Sequence, residues 1–213
     1  GDIRYELNAL QEPQKLILTV ELPGYGVNSW DFWVYPGQLN MPEQEDVVVA
    51  RDLTRKVKQS LSRGKKVLLI LHDQVKDGMG GNVKVGFSSI FWNTMWTDNQ
   101  APHTMGILCD PKHPIFNEFP TEYYSNWQWW DIVTGSQVMN MKEFPRQITP
   151  LIQSVPDYHK NRKLAFAFEG NVGKGKLLVT SIDFTKDLEK NLGSRQLYYS
   201  VLNYMGSDDF TPE

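Results

Sequence analysis

The sequence predicts an α/β chain in which a doubly wound, mostly parallel sheet over 41–213 follows a short β-rich segment over 1–40. Two observations carry the α/β part. Residues 46–50, 52–63 and 66–71 read as strand, helix and strand, a βαβ unit. A Gly-rich polar stretch over 72–86 then follows the second strand, where ligand loops sit in open α/β sheets. A third observation sets the first segment apart: residues 3–10 and 15–22 alternate with period two, and the composition changes after Pro42.

Within 1–40, residues 3–10 and 15–22 show β-type alternation, and Leu16, Leu18 and Val20 share one face. Pro23-Gly24-Tyr25-Gly26 is a turn cluster, and 30–35 is an aromatic strand closed by Pro36-Gly37. Strands ending at Asn40 cannot enclose a core alone. The segment is the end of a β-sandwich, a small sheet packed on the α/β part, or the N-terminal meander of one domain. The chain opens Gly1-Asp2-Ile3 without a charged-then-apolar leader, and reads as starting mid-domain, with Gly1 a residue left by cloning.

In the second part, 46–50 is a β-branched run expected of a strand buried on both faces. Leu53, Val57 and Leu61 form one helical stripe, with Gly64 at the stop position. Residues 66–71 (KVLLIL) read as a buried strand, 88–96 as a short helix, and 104–109 as a third parallel strand. Residues 163–169 and 176–183 flank 170–175 as a β-hairpin at the antiparallel edge, and 194–205 is a closing helix.

Composition excludes several function classes. The 213 residues carry 22 Lys+Arg against 25 Asp+Glu, a net charge of −3 with no basic run, so nucleic acid and anionic membranes are not expected partners. No apolar run approaches the roughly 18 residues that cross a bilayer, so a soluble chain is expected. Hydrophobic content of 40% rules out a disordered chain. Cys109 is the single cysteine, which excludes an internal disulfide framework.

Cys109 follows an apolar strand and is the candidate nucleophile. Asp110-Pro111 follow it, and no Gly-x-Cys-x-Gly elbow presents the thiol at a helix start, so the expected role is that of a small buried hydrophobe. His103, Cys109, Asp110 and His113 match no familiar zinc spacing, so no metal is expected. His72-Asp73 end a strand and either line a cleft or begin a turn. Gly78-Met79-Gly80-Gly81 and Gly173-Lys174-Gly175-Lys176 lack phosphate-loop spacing, and no cofactor is expected. Glu169 and Asp183 are candidate paired carboxylates, though Asp183 also suits the N-cap of a helical turn over 185–190.

The seven Trp, nine Tyr and ten Phe are the unusual numbers. Trp92-Asn93-Thr94-Met95-Trp96 and Tyr123-Tyr124-Ser125-Asn126-Trp127-Gln128-Trp129-Trp130 interleave rings with amides and hydroxyls. Flat rings beside hydrogen-bonding groups suit a pyranose, which has an apolar face and a polar rim; the same rings also suit core or interdomain packing. For sugar contact the candidates are Trp92, Trp96, Trp127, Gln128 and Trp130, with His103 supplying a hydrogen bond.

Four strings carry a family resemblance: Asn28-Ser29-Trp30-Asp31-Phe32-Trp33-Val34-Tyr35-Pro36, Gly86-Phe87-Ser88-Ser89-Ile90-Phe91-Trp92-Asn93-Thr94, Leu108-Cys109-Asp110-Pro111-Lys112-His113-Pro114, and Ser125-Asn126-Trp127-Gln128-Trp129-Trp130. The first resembles the end of a β-sandwich module in large bacterial glycoside hydrolases of the family 2, β-galactosidase-like kind. The others resemble a downstream domain of the same chains, similar to the flavodoxin-like, class I glutamine-amidotransferase-like fold. A working amidotransferase needs a Cys elbow and a late His-x-Glu pair, whereas His159 is followed by Lys160-Asn161. The family's catalytic acids sit in a (β/α)₈ barrel, for which this chain shows no eightfold pattern. The resemblance therefore implies a non-catalytic C-terminal accessory module of a glycoside hydrolase, with a structural or oligomerising role and carbohydrate contact. Its partners would be the parent's other domains, carbohydrate, and copies of itself; the implied location is periplasmic or extracellular. The alternatives are a stand-alone Cys-dependent hydrolase or amidase using Cys109, and a purely structural interdomain or trimer-forming module with every ring buried.

Overall fold

Val67, Leu68, Leu69 and Ile70 are all buried although they point alternately to opposite sides, so their strand must lie inside a sheet covered on both faces. The computed structural model describes residues 4, 6, 7, 10–88 and 101–213. Its elements are β1 (Gln14–Leu22), β2 (Gly26–Val34), β3 (Val47–Ala50), α1 (Arg55–Ser62), β4 (Lys66–Ile70), β5 (Ile107–Cys109), α2 (Trp130–Thr134), β6 (Met139–Asn140), β7 (Pro150–Ser154), β8 (Leu164–Val172), β9 (Gly175–Thr180) and α3 (Leu192–Gly206).

The main sheet runs β3-β4-β9-β8-β7-β5, with β6 paired to β8 off that path. Only β3–β4 and β4–β9 are parallel; β9–β8, β8–β7, β7–β5 and β6–β8 are antiparallel. The chain is thus mostly β, with a mixed sheet and three α-helices among the described residues. This corrects the expected flavodoxin-like, doubly wound, mostly parallel architecture. The β3-α1-β4 unit forms as expected, but it does not repeat: after β4 no helical crossover is described, and β7, β8 and β9 return by direct reversal. A short buried apolar run looks the same in either strand direction, because burial on both faces erases the alternation that would separate them.

Three strands depart from expectation in position or direction. The 104–109 run supplies β5, which is antiparallel to β7 at the far edge rather than a third parallel strand. The β8–β9 hairpin lies inside the sheet, between β4 and β7, rather than at its edge. β3 is the other edge, with Val49 46% exposed, so it is not buried on both faces. No strand is described over 3–10 and no helix over 185–190, while the helix expected over 88–96 falls almost wholly outside the described residues.

Alternate β4 side chains sort onto two faces. Leu68 and Ile70 join Phe166, Leu178, Trp129, Ile132, Leu197 and Val201 under α2 and α3, while Leu69 joins Val179, Ala165 and Met139 on the other. Val67 meets Val57 and Leu61 of α1. Thr54 caps α1 by accepting the Val57 N–H at 3.3 Å, and Gly64, at φ +86°, ends it. Asn191 caps α3 by accepting the Ser194 N–H at 3.0 Å.

The β1–β2 hairpin stands apart as a two-stranded sheet. Its turn bonds the Tyr25 N–H to the Leu22 carbonyl at 3.0 Å with Gly24 at φ +80°, a type II turn with Pro23 in the position that suits it. The register pairs Leu16 with Phe32 and Leu18 with Trp30, so Leu18, Val20, Leu22, Trp30 and Phe32 share one face, each of them exposed. The base of the hairpin is pinned to the body. Lys15 Nζ bridges Asp31 at 2.8 Å and Glu122 at 2.6 Å. Arg195 donates to the carbonyls of Pro36 and Gly37 at 2.6 and 3.2 Å.

Helix α1 lies so close to β9 that a Cβ on Gly175 would meet the Leu61 Cα at 2.7 Å. Gly175→Ala should therefore push α1 off the sheet and cost about 1–3 kcal/mol in urea denaturation. A loss below about 0.5 kcal/mol would show that the α1 packing has slack.

Candidate functional site

Asn126 opens a 3₁₀ turn at Trp127–Trp129 that runs directly into α2. A 3₁₀ turn repeats every three residues, so positions 127 and 130 share a side and 129 is turned about 120° away from them. Trp129 is fully buried, edge-on to Phe119 at 5.2 Å and Phe116 at 6.2 Å, with its indole N–H donating to the Thr121 hydroxyl at 2.9 Å. Trp127 and Trp130 face outward at 74% and 48% exposure, with ring centroids 5.9 Å apart and a 46° tilt. Phe87 stacks on Trp130 at 5.3 Å and 15°.

Trp127 is the shared wall of two cavities. One, of about 500 Å³, runs along the hairpin base and includes Phe32, Trp33, Tyr35 and Gln128, with Asp31, Asp131 and Lys190 among its lining. The other, of about 210 Å³, is lined by Phe87, Ser125, Asn126, Trp127 and Trp130. Gly106, at φ +93°, makes room for the second, since a Cβ there would collide with the Ser125 hydroxyl and touch Phe87. The N-terminus of α3 closes in on the first, because a Cβ on Gly193 would sit 3.1 Å from the Gln128 carbonyl.

Each cavity wall contains a residue with a buried polar atom lacking a hydrogen-bond partner: Trp33 Nε1 in the first, Asn126 Oδ1 in the second. The Asn126 orientation is fixed chemically. Its Nδ2 donates to Glu122 Oε2, and a carboxylate can only accept, so Oδ1 must point the other way. Both atoms are sealed from solvent, so neither is presented to its cavity as the side chains stand.

The sequence candidates separate accordingly. Trp127 and Trp130 come together at the surface. Gln128 lines the larger cavity, but its amide is engaged within the protein: the Tyr35 hydroxyl donates to Oε1 at 2.7 Å, and Nε2 donates to the Pro120 carbonyl at 2.8 Å. Burial raises the Tyr35 phenol pKa, so it stays a neutral donor. Gln128 therefore ties β2 to the turn before it can serve a ligand. His103 packs on Gly86 and lines neither cavity. Trp92 and Trp96 lie outside the described residues. Trp33, Phe32 and Phe87 join the site without being sequence candidates for it, since nothing in their local pattern brings them beside Trp127.

The remaining candidates do not assemble into catalytic machinery. Cys109 is buried, donates from Sγ to the Glu122 carbonyl at 3.3 Å rather than to an imidazole, and its pKa is pushed up to about 12 by burial. His113 instead caps a turn, its Nδ1 accepting the Ile115 N–H at 3.2 Å, and burial lowers its pKa. Glu169 and Asp183 line different cavities, one with Asp110 and His113 and the other with Asp131 and Lys186, so they do not flank one bond. Burial raises the Glu169 pKa, against the Tyr204 hydroxyl that donates to it at 2.9 Å. Among the described residues, no group of three or more His, Cys, Asp or Glu is arranged to hold a metal ion.

His72 and Asp183 lie just beyond the C-terminal ends of the adjacent parallel strands β4 and β9. His72 Nε2 is 3.1 Å from Asp73 Oδ2 and 3.4 Å from Asp183 Oδ2, while Nδ1 is buried without a partner. Both carboxylates therefore address the same nitrogen and the other is sealed, which makes this a clamp between two loops rather than an oriented general base. Lys186 adds a contact to Asp73 at 3.2 Å.

The family model described as a domain of unknown function (DUF8487) matches residues 48–213. The chain belongs to this DUF8487 family. The match takes in the main sheet from within β3 onward, together with Trp127 and Trp130. A second model, likewise described as a domain of unknown function (DUF8488), matches residues 1–36, which include the hairpin and Trp33. The site is thus built where the two matched segments meet. No curated protein matches the chain.

The burial of Cys109 and the ties around Asp183 both have measurable outcomes. At pH 7–8 the Cys109 thiol should react with iodoacetamide far more slowly than a free cysteine, accelerating only toward pH 12; fast alkylation at neutral pH would contradict its burial. The Asp183 carboxyl is opposed by burial, but the Thr185 hydroxyl and N–H and the charges of His72 and Lys186 outweigh it and lower the pKa. The stabilisation is complete above the unfolded value of about 3.9 and is lost as pH falls through the lower folded value. Asp183→Ala should therefore cost about 1–3 kcal/mol at pH 7, with the deficit closing in acid-range melts.

Proposed function

We propose that the chain is a non-catalytic accessory module of a β-galactosidase-like glycoside hydrolase, and that it contacts carbohydrate through Trp127 and Trp130. The observation that carries the reading is Trp127: a ring 74% exposed, standing between two aromatic-lined cavities. Apart from the tilted Trp130 ring beside it, this indole faces water, and a pyranose offers a flat C–H face to cover it and hydroxyls for the rim. The buried, high-pKa Cys109 and the separation of Glu169 from Asp183 favour this reading over hydrolysis within the chain.

The structural side of the role draws on the hairpin, whose apolar face of Leu18, Val20, Leu22, Trp30 and Phe32 suits packing against another domain of the parent hydrolase. An extracytoplasmic location belongs to the same reading, since the parent would act on external saccharides. No described helix is long and apolar enough to cross a membrane.

Tryptophan fluorescence should change saturably when the chain is titrated with one class among galacto-, gluco- and manno-oligosaccharides. Trp127→Ala should abolish that change while shifting stability by no more than about 0.5 kcal/mol, as expected of an exposed side chain. A flat response across the panel sinks the carbohydrate reading, and unfolding of the variant would mean the ring is structural.

A further inference from the structure

We propose that the exposed face of α1, with the adjoining β8–β9 turn, is a docking surface for an acidic polysaccharide, a chain bearing carboxylate or sulfate groups among hydroxyls. Arg55, Lys58, Gln59 and Ser62 of this face line neither cavity at Trp127, so the inference goes beyond the carbohydrate reading above and does not rest on it.

The charge is local. Residues 51–66 carry seven Lys and Arg against the single acid Asp52, in a chain whose net charge is −3. They form no unbroken run, but the helix gathers them. Arg55, Lys56, Lys58 and Arg63 are exposed, and among the described residues none of them has an ion pair or a side-chain hydrogen bond. The β8–β9 turn adds exposed Lys174, since a Cβ on Gly64 would sit 4.0 Å from the Lys174 Cβ. Helix physics explains only part of this arrangement. Arg63, at the C-terminal end of α1, complements the helix dipole, whereas Arg55, Lys56 and Lys58 crowd its positive end with no acid in the first turn. Arg55 and Lys58 are also like charges three residues apart, an unfavourable pairing. Cations kept where they weaken their own helix, and left unpaired by the protein, point to a face that serves an anionic partner.

Arg55, Lys58, Gln59 and Ser62, at i, i+3, i+4 and i+7, line an open groove of about 480 Å³ along the helix. Arg55 can grip a carboxylate or sulfate with two N–H groups. The Gln59 amide both donates and accepts, and Ser62 Oγ, which donates to the Gln59 carbonyl at 2.9 Å, keeps its acceptor capacity. Cations interleaved with such groups match a polymer in which acids alternate with hydroxyls. Other polyanions find less. Residues 51–66 contain no aromatic ring on which unpaired bases could stack. Val57 and Leu61 are buried, leaving Leu53 alone exposed to enter a bilayer. Asp46, 3.9 Å from Lys65, and Asp52, just ahead of α1, border the cationic strip, so a single slender chain fits it better than a broad duplex.

Calorimetric titration of the unmodified chain with polygalacturonate should show saturable binding that weakens about tenfold between about 50 and about 200 mM salt. Neutral dextran should not bind. Arg55→Glu/Lys58→Glu should weaken polygalacturonate at least about tenfold, yet raise the melting temperature, since acids suit the first turn of a helix. Lys142→Glu/Lys160→Glu makes the same change in net charge at exposed positions elsewhere, and should leave the affinity within about twofold. No binding, equal loss in the two double variants, or binding that survives Arg55→Glu/Lys58→Glu overturns the inference. So does tighter binding of duplex DNA or of phosphatidylserine vesicles than of polygalacturonate. A lowered melting temperature in Arg55→Glu/Lys58→Glu would show that these cations serve the fold, and overturns it as well. Neutral saccharides at Trp127 are read separately through Trp127→Ala, so that reading stands or falls on its own.

Discussion

Trp129 has no exposed surface and its indole N–H is held by Thr121, so the turn that carries it can take only one rotational setting. Because the turn is 3₁₀, that setting places Trp127 and Trp130 together on one side, turned away from the buried ring. Phe116 and Phe119 hold the buried ring edge-on, and Phe119 in turn stacks with Tyr35 at 6.4 Å. One buried indole thus orients the exposed pair and, through Phe119 and Tyr35, helps locate the end of the hairpin beside them. The three Trp residues of this segment have different jobs for a geometric reason, although their composition is identical.

The mixed sheet explains where the site is not. In an open parallel sheet, the crevice beyond the strand C-termini is the usual ligand position. Here only β3, β4 and β9 run together, and the loops after β4 and β9 are locked by His72 between Asp73 and Asp183. Asp73 adopts φ +59° within that clamp, a backbone setting uncommon for residues other than glycine. The position that a doubly wound fold would offer to a ligand is occupied by a polar tie. The exposed aromatic surface lies elsewhere, between the hairpin base, the 3₁₀ turn and the start of α3.

The hairpin links stability to the site. A two-stranded ribbon is marginal on its own, and this one exposes apolar side chains along one face while its base is secured by Lys15, Tyr35 and Arg195. Lys15 also sits 5.8 Å over the Trp33 ring and answers two carboxylates, so the same contacts that secure the hairpin set the charge balance beside Trp127.

Local chemistry makes several features legible in the sequence alone. Pro23-Gly24 specifies a turn, Val57 and Leu61 specify the buried stripe of α1, Gly64 its end, and Trp127 and Trp130 stand out as rings amid hydrogen-bonding side chains. Each depends on neighbours within a few residues. Strand direction does not: the sequence suggests a parallel β5 and an edge position for the β8–β9 hairpin, because a short apolar run carries no record of which strand lies beside it, or in which direction. The same reason hides Trp33 and Phe87, which reach Trp127 only after chain segments far apart in sequence have packed together. It also hides the engagement of Gln128, whose partners at Tyr35 and Pro120 come from different segments. Spacing can nominate a ring or an amide, but only tertiary packing decides whether that group is buried, already bonded, or left facing solvent.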